Sequence, residues 1–303
     1  MNDGKVAQLQ RAAMLAALLL ATLWAVGCWR SGHPVWAVPG ALFIVGGYAF
    51  VLGLEFVLLA RVHGADPTPR ASAGVLWRAW RGEVRAATTT FCWRQPFASR
   101  VVADHLPAHA AGRRGVVLVH GFVCNRGLWN PWLRRLVQLD IPVVAVNLEP
   151  VFGSIDDHIP GVERAVCELE RCTGLAPVIV AHSMGGLVVR GWWAGCGDAT
   201  RVHRLITLGT PHHGTWLARF ARTRNARQMQ PGSAWLQALA SREPNALRAS
   251  VTCFFSHCDN IVFPPRHAVL AGADERHLPG VAHVSMVDHP APWHELQRWL
   301  EPR

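Results

Sequence analysis

The stretch Val178-Ile179-Val180-Ala181-His182-Ser183-Met184-Gly185-Gly186-Leu187-Val188-Val189-Arg190 narrows the fold of this chain more than any other. Three β-branched residues run toward a serine, and two glycines open an apolar segment behind it. That order is a buried strand, a sharp turn and a helix. The turn has the form small-x-Ser-x-Gly, with Ala181 in the place glycine commonly takes. A serine raised on a strained strand-to-helix turn needs neighbours without bulk, or the turn cannot close. The helix starting at Met184 aims its free amides at the space beside Ser183, where they favour developing negative charge. Ser183 is thus a candidate nucleophile.

Around this stretch the chain is regular. Gly115 to His120, Ile141 to Val146, Pro177 to Ala181, Val202 to Leu208 and Ser250 to Ser256 predict strands. Asn130 to Leu139, Asp156 to Arg171, Gly185 to Ala194 and Pro290 to Leu300 predict helices, the second ending near Gly174. Continuous apolar strands alternating with helices mean a parallel sheet covered on both faces. In such sheets chemistry gathers at the C-terminal ends of the strands. That rule selects His120-Gly121-Phe122, where a glycine lets the backbone approach a ligand and the Phe122 amide can face an oxyanion. The Met184 amide supplies a second donor. Asp259 follows another strand and suits an orienting carboxylate. His283 lies in a loop after a short strand and suits a general base. His277 and His289 are rivals that sit less cleanly past a strand end.

Composition brings in a second theme. Half of the 303 residues are hydrophobic and 17% are charged, too apolar for a wholly soluble chain of this size. Two runs account for the excess, Ala12 to Trp29 and Val35 to Leu54, parted by Arg30-Ser31-Gly32-His33-Pro34. Each is long enough to cross a hydrocarbon core of ~30 Å as a helix. Trp24, Trp29 and Trp36 stand around the break, where an aromatic belt belongs. A cleaved signal peptide ending near Ala25-Val26-Gly27-Cys28, or a buried core hairpin, are the competing readings. Arginines 61, 70, 78, 81 and 85 follow the second run, so the hairpin places both ends in the cytoplasm and the anchor in the inner membrane. The division expected is a membrane anchor over 1–61, with spans at about 12–29 and 35–55. A linker with edge strands covers 62–111, and a catalytic domain covers 112–303 with a cap or lid at about 215–248. In the linker, the amphipathic piece carrying Trp77 and Trp80 suits either a membrane surface or a domain contact. Residues 81–105 allow one or two edge strands.

The net charge of +10 is almost wholly arginine, scattered and without a nucleic-acid-binding signature, so no nucleic-acid partner is implied. The eight cysteines form no C-x-x-C pair and suit a reducing compartment. His212-His213 looks metal-like alone, but adjacent residues rarely share one ion, and no zinc spacing or phosphate-cradling loop occurs. No cofactor or metal is expected.

From about 112 to 300 the chain resembles the α/β-hydrolase superfamily, and within it bacterial lipases and esterases. The resemblance is carried by Val119-His120-Gly121-Phe122, Ala181-His182-Ser183-Met184-Gly185-Gly186, Leu208-Gly209-Thr210-Pro211-His212-His213-Gly214-Thr215, Asp259 with Ile261-Val262, and Gly280-Val281-Ala282-His283. It implies an α/β-hydrolase fold, a mainly parallel sheet with helices on both faces, which the two apolar runs precede as the expected transmembrane helices. It also implies Ser183 as nucleophile, Asp259 as acid, His283 as base, and Phe122 with Met184 as the oxyanion hole. Gly121, His182, Trp216 and Leu217 are candidates to line the substrate. The function implied is hydrolysis of carboxylic esters of lipidic character at a membrane. The same triad serves an acyltransferase or a thioesterase, and a non-catalytic scaffold is the reading from a different class.

Overall fold

A computed structural model describes residues 4–243 and 245–301. Two long helices come first, α1 (Lys5–Arg30) and α2 (Ala37–Arg61), followed by α3 (Ala73–Thr89), a π-helical turn and the short α4 (Gln95–Ala98). The remainder alternates: β1 (Val116–Val119), α5 (Asn130–Gln138), β2 (Val143–Val146), α6 (Ile159–Thr173), β3 (Val178–His182), α7 (Met184–Gly195) and β4 (Arg204–Leu208). Three short helices, α8 (Arg224–Gln228), α9 (Ala234–Arg242) and α10 (Asn245–Ala249), lead to β5 (Val251–Phe255). Then come β6 (Asp274–His277), α11 (Ser285–Asp288) and α12 (Pro290–Leu300).

The six strands form one parallel sheet in the order β2-β1-β3-β4-β5-β6. Alternate residues of each strand leave on opposite faces. Val117, Val119, Ile179, Ala181 and Leu205 pack with α6 and α7 through Val162, Leu169 and Leu187. Val116, Leu118, Val178, Val180 and Ile206 pack with α5 and α12 through Leu133, Leu136 and Leu296. All of these are fully buried, and each valine, leucine and isoleucine contributes about 1.5–3 kcal/mol relative to exposure. β6 has the sequence Asp-Glu-Arg-His and closes the edge of the sheet with charge, which discourages pairing with another chain.

The segment after β4 does not float over this core. Leu236, Leu239 and Leu247 are buried in the α6–α7 cluster. Arg190 of α7 donates to both carboxylate oxygens of Glu243 at 2.6 and 2.7 Å, in a pair almost without exposure. Breaking such a pair strands a buried charge, so it fixes the segment to the helix behind Ser183.

α1 and α2 are apolar and long enough to cross a membrane. Unlike the core helices, they keep large side chains outside: Leu15, Leu19, Leu42, Phe43 and Phe50 are all exposed. They pack on each other, the Trp24 ring lying over Gly40 and its Nε1 donating to the Trp36 carbonyl at 2.9 Å. The base of the hairpin, by contrast, is built into the rest of the molecule. Val6, Ala7, Phe56 and Leu59 are buried. Phe56 and Leu59 share a cluster with Cys258, Phe263 and Ala282.

One expectation is corrected. Residues 81–105 give no edge strand: α3 runs through Thr89, and the chain stays helical as far as Ala98. The reason is local. Ser72 caps the helix by accepting from the Val75 amide, and Ala79, Glu83, Ala86 and Ala87 recur at helical spacing on its buried face. Among the described residues, the one extended contact of the region is a single bridge between His105 and Val143.

Candidate active site

Ser183 follows β3 directly and has φ 56° and ψ −132°. This is a conformation L-residues avoid, and it costs about 1–3 kcal/mol. The sheet and α7 hold it: the Ser183 amide donates to the Leu208 carbonyl at 2.9 Å, and the Gly186 amide donates to the Ser183 carbonyl at 3.1 Å. The neighbouring chain has to be bare. A Cβ on Gly121 would stand 2.7 Å from the Ser183 Cβ.

The acid and the histidine meet across the top of the sheet. Asp259, 1% exposed, accepts from the Ile261 and Val262 amides at 2.9 and 2.8 Å through Oδ1. His283 Nδ1 donates to its Oδ2 at 3.0 Å. Gly209, at the end of β4 with φ +55°, gives this pair room: a Cβ there would lie 2.8 Å from Asp259 Oδ2 and 2.9 Å from His283 Nδ1. Burial works against a charged His283 ring. The Asp259 carboxylate outweighs it, with Glu83 and Glu55 behind, and the pKa is raised. Among the described residues Ser183 Oγ makes no hydrogen bond, and neither the Phe122 nor the Met184 amide has an acceptor. Such contacts commonly tighten only when substrate is bound.

Two other histidines have the opposite character. His182 is buried, its ring 4.6 Å from that of His283, and its Nε2 donates to the His283 carbonyl at 3.1 Å. Burial first, then the His283 charge, holds it well below the ordinary imidazole range. His120 donates from Nδ1 to the Gly121 carbonyl at 2.9 Å and accepts the Leu148 amide on Nε2 at 3.0 Å. Only one neutral tautomer does both, and burial lowers its pKa to about 4. His120 thereby ties the loop after β1 to the loop after β2. In the first of these loops, at Val123, the backbone takes φ 53°, rare for a β-branched residue.

Of the sequence candidates, Ser183, Asp259, His283, Gly121, His182 and the Phe122 and Met184 amides all lie at this one end of the sheet. Phe122 packs edge-on against Phe152 at 5.9 Å. Trp216 and Leu217 pack on the cluster that joins Phe263 to α2, Trp216 stacking on Phe263 at 5.9 Å. The rivals lie elsewhere: His277 hydrogen-bonds His257 within the edge, and His289 caps α12 through the Ala291 amide. His212 is buried with Arg190 and Thr207.

Sequence reasoning missed Glu83, Glu55 and Asn260. Glu83 reaches the backbone just after His283, and Asn260 bridges Glu55 to the His283 amide. Glu55 did leave a signal as the lone charge that ends an apolar run.

An arrangement of this kind can add a serine to an acyl carbon and hold the resulting oxyanion. Known proteins agree on the framework. Residues 115–262 match the palmitoyl protein thioesterase family, a span that includes Ser183 and Asp259. No curated protein matches the sequence. The structure of a Bacillus licheniformis lipase, BlEst2 in its mature form, superposes over 65% of this chain and 96% of that one, with 17% identity and a TM-score of 0.56. Aspergillus fumigatus lipase B superposes over 65% of this chain and 55% of its own, with 21% identity and a TM-score of 0.53. The fold is that of an α/β-hydrolase.

Proposed function

We propose that this α/β-hydrolase is a membrane-anchored serine hydrolase that releases long acyl groups from esters through an acyl-enzyme on Ser183. The observation that carries the reading is the buried Asp259–His283 pair, 3.0 Å apart, at the same sheet end as a strained serine and two unengaged amides. Ser183 Oγ adds to the acyl carbon while His283 Nε2 takes its proton. The Phe122 and Met184 amides hold the oxyanion. The tetrahedral adduct then expels the alcohol, which takes the proton from His283. Water, deprotonated by His283, releases the acid from Ser183.

The anchor supports a lipidic substrate. Both membrane-side helices begin or end beside the catalytic loops: the Gln10 amide of α1 reaches the Val123 carbonyl at 3.5 Å, and Glu55 of α2 accepts from Asn260 at 2.7 Å. These contacts support a reading in which the catalytic end of the sheet faces the membrane surface, and the arginine distribution favours the cytoplasmic face of the inner membrane. A second reading, thioester rather than oxygen-ester hydrolysis, is favoured by the match to the palmitoyl protein thioesterase family. The triad treats both bonds alike.

The test is labelling of detergent-solubilised protein by a fluorophosphonate probe beside Ser183→Ala. Labelling of the wild type alone is expected, after which matched palmitoyl oxygen esters and thioesters separate the two readings. Folded wild-type protein that refuses the probe removes the serine-hydrolase proposal.

A further inference from the structure

We propose that Glu83 of α3 is a positioning residue for His283, and that through Glu83, Glu55 and Asn260 the base of the N-terminal hairpin is a working part of the active site. The proposal rests on the serine-hydrolase reading above and names what holds its general base.

The loop carrying His283 leaves an edge strand, so the sheet itself holds little of it. Side chains hold it instead. The His283 carbonyl accepts from His182 at 3.1 Å, and its amide donates to Asn260 Oδ1 at 3.3 Å. The next two amides, Val284 and Ser285, donate to Glu83 at 2.8 and 3.1 Å, and the Ser285 hydroxyl donates to it at 3.0 Å. Asn260 in turn donates to Glu55 at 2.7 Å. Two of the supports thus reach back to α2 and α3, about two hundred positions upstream.

A carboxylate is an expensive choice for this place. Glu83 is 1% exposed on a helix face otherwise made of Ala79, Ala86 and Ala87. An apolar side chain would pack there without desolvating a charge. What the carboxylate adds is a directional grip on two consecutive amides and a negative charge facing the imidazole. The groups around His283 are Asp259 from the loop after β5, Glu83 from α3, Glu55 from α2 and the neutral His182 at the end of β3. Burial raises the Glu83 carboxyl above its ordinary range, and the Val284 amide and the His283 charge offset this only in part. When His283 takes the serine proton, the imidazolium that forms is balanced by Glu83 as well as by Asp259. Any shift of α3 relative to the sheet releases the grip and the charge together.

The experiment follows fluorophosphonate labelling rates of the full chain in detergent from pH 5 to 9, with melting curves to confirm folding. Glu83→Gln is expected to label about tenfold more slowly, because a slightly misplaced base loses that much. Its acid limb is expected about half a pH unit lower, because a lost negative charge disfavours the imidazolium. Glu83→Asp restores the limb to the wild-type position. A purely structural role slows the variant and leaves the limb where it was, and that result in folded Glu83→Gln protein overturns the proposal. Should the Gln variant not fold, Glu55→Gln decides on the same readout: an acid limb moved to lower pH supports the proposal, and a limb left in place overturns it. Unlabelled wild type removes the parent reading as well, so the two failures are told apart by which protein shows them.

Discussion

The two sides of the proposed catalytic gap are held by different means. Ser183 is held by backbone: a strand, a turn with φ 56°, a helix N-terminus and a bare Gly121 opposite. His283 is held by four side chains from three places: His182 at the end of β3, Asp259 and Asn260 after β5, and Glu83 of α3. The imidazoles divide the same way. His120 and His182 on the serine side are buried neutral, while carboxylates raise His283. A nucleophile needs only a fixed position. A base has to accept charge in mid-reaction, and that calls for opposite charge arranged around it.

The largest test of this contrast removes charge without shape. Asp259→Asn keeps the side chain but favours the wrong tautomer of His283 and no longer balances its charge. Turnover is expected to fall about 10⁴-fold with the fold intact. A loss below tenfold would mean that the side-chain network, and not this carboxylate, sets the state of His283.

Two alanine substitutions sharpen the comparison. Gly121→Ala drives a methyl against the Ser183 Cβ and displaces the Phe122 amide. Gly209→Ala drives one between Asp259 and His283. Each is expected to cost about 10³ in kcat/KM, the size of a lost oxyanion donor. Their pH profiles should differ. Loosening Asp259 from His283 lowers the histidine pKa, so the acid limb of Gly209→Ala moves to lower pH, while that of Gly121→Ala stays. Identical profiles would erase the distinction between the two sides.

The serine side was legible in the sequence because it is made of local pattern. Val178 to Arg190 announces its strand, turn and helix by periodicity, and the Gly121 loop follows a run of four buried residues. The far side was only partly legible. Asp259 and His283 stand in loops that the strand order selects. Asp259 is held locally by the Ile261 and Val262 amides, but the side chains that hold the His283 loop reach it across about 20 to 200 positions, and no short-range pattern encodes those. The amphipathic start of α3 was legible, but its second half, from residue 81, was misread as edge strand because the buried face there is mostly alanine. β6 is polar throughout, and pairing with β5 makes it a strand.

A stability measurement probes the neutral histidines. His120 has its pKa lowered to about 4, so the folded state resists protonation. Such a group contributes stability that is complete above the unfolded value of ~6.5 and is lost as pH falls toward 4, on the order of 3 kcal/mol for a shift of this size. His182 and His212 shift in the same direction. Denaturant unfolding at pH 7.5 and pH 4.5 should show the wild type losing several kcal/mol. His120→Gln, which cannot titrate, should lose roughly 3 kcal/mol less. Equal losses would place the acid sensitivity elsewhere.

The smallest effect expected concerns Trp216. Its ring stacks on Phe263 and meets Phe220 at 5.0 Å, where the segment after β4 approaches the base of α2. Among the described residues it shares no hydrogen bond with Asp259 or His283, so removing it should leave the charge arrangement alone. If the ring also lines the path of an acyl chain, Trp216→Ala takes away apolar contact that substrate and transition state share, and such contact appears in KM. The expected result is a KM for palmitoyl esters raised about fivefold, near 1 kcal/mol, with kcat and the acid limb unchanged and acetyl esters unaffected. A fall in kcat with a displaced limb would instead make Trp216 part of what holds the base, and would extend the side-chain scaffold of His283 from α2 and α3 to the segment after β4.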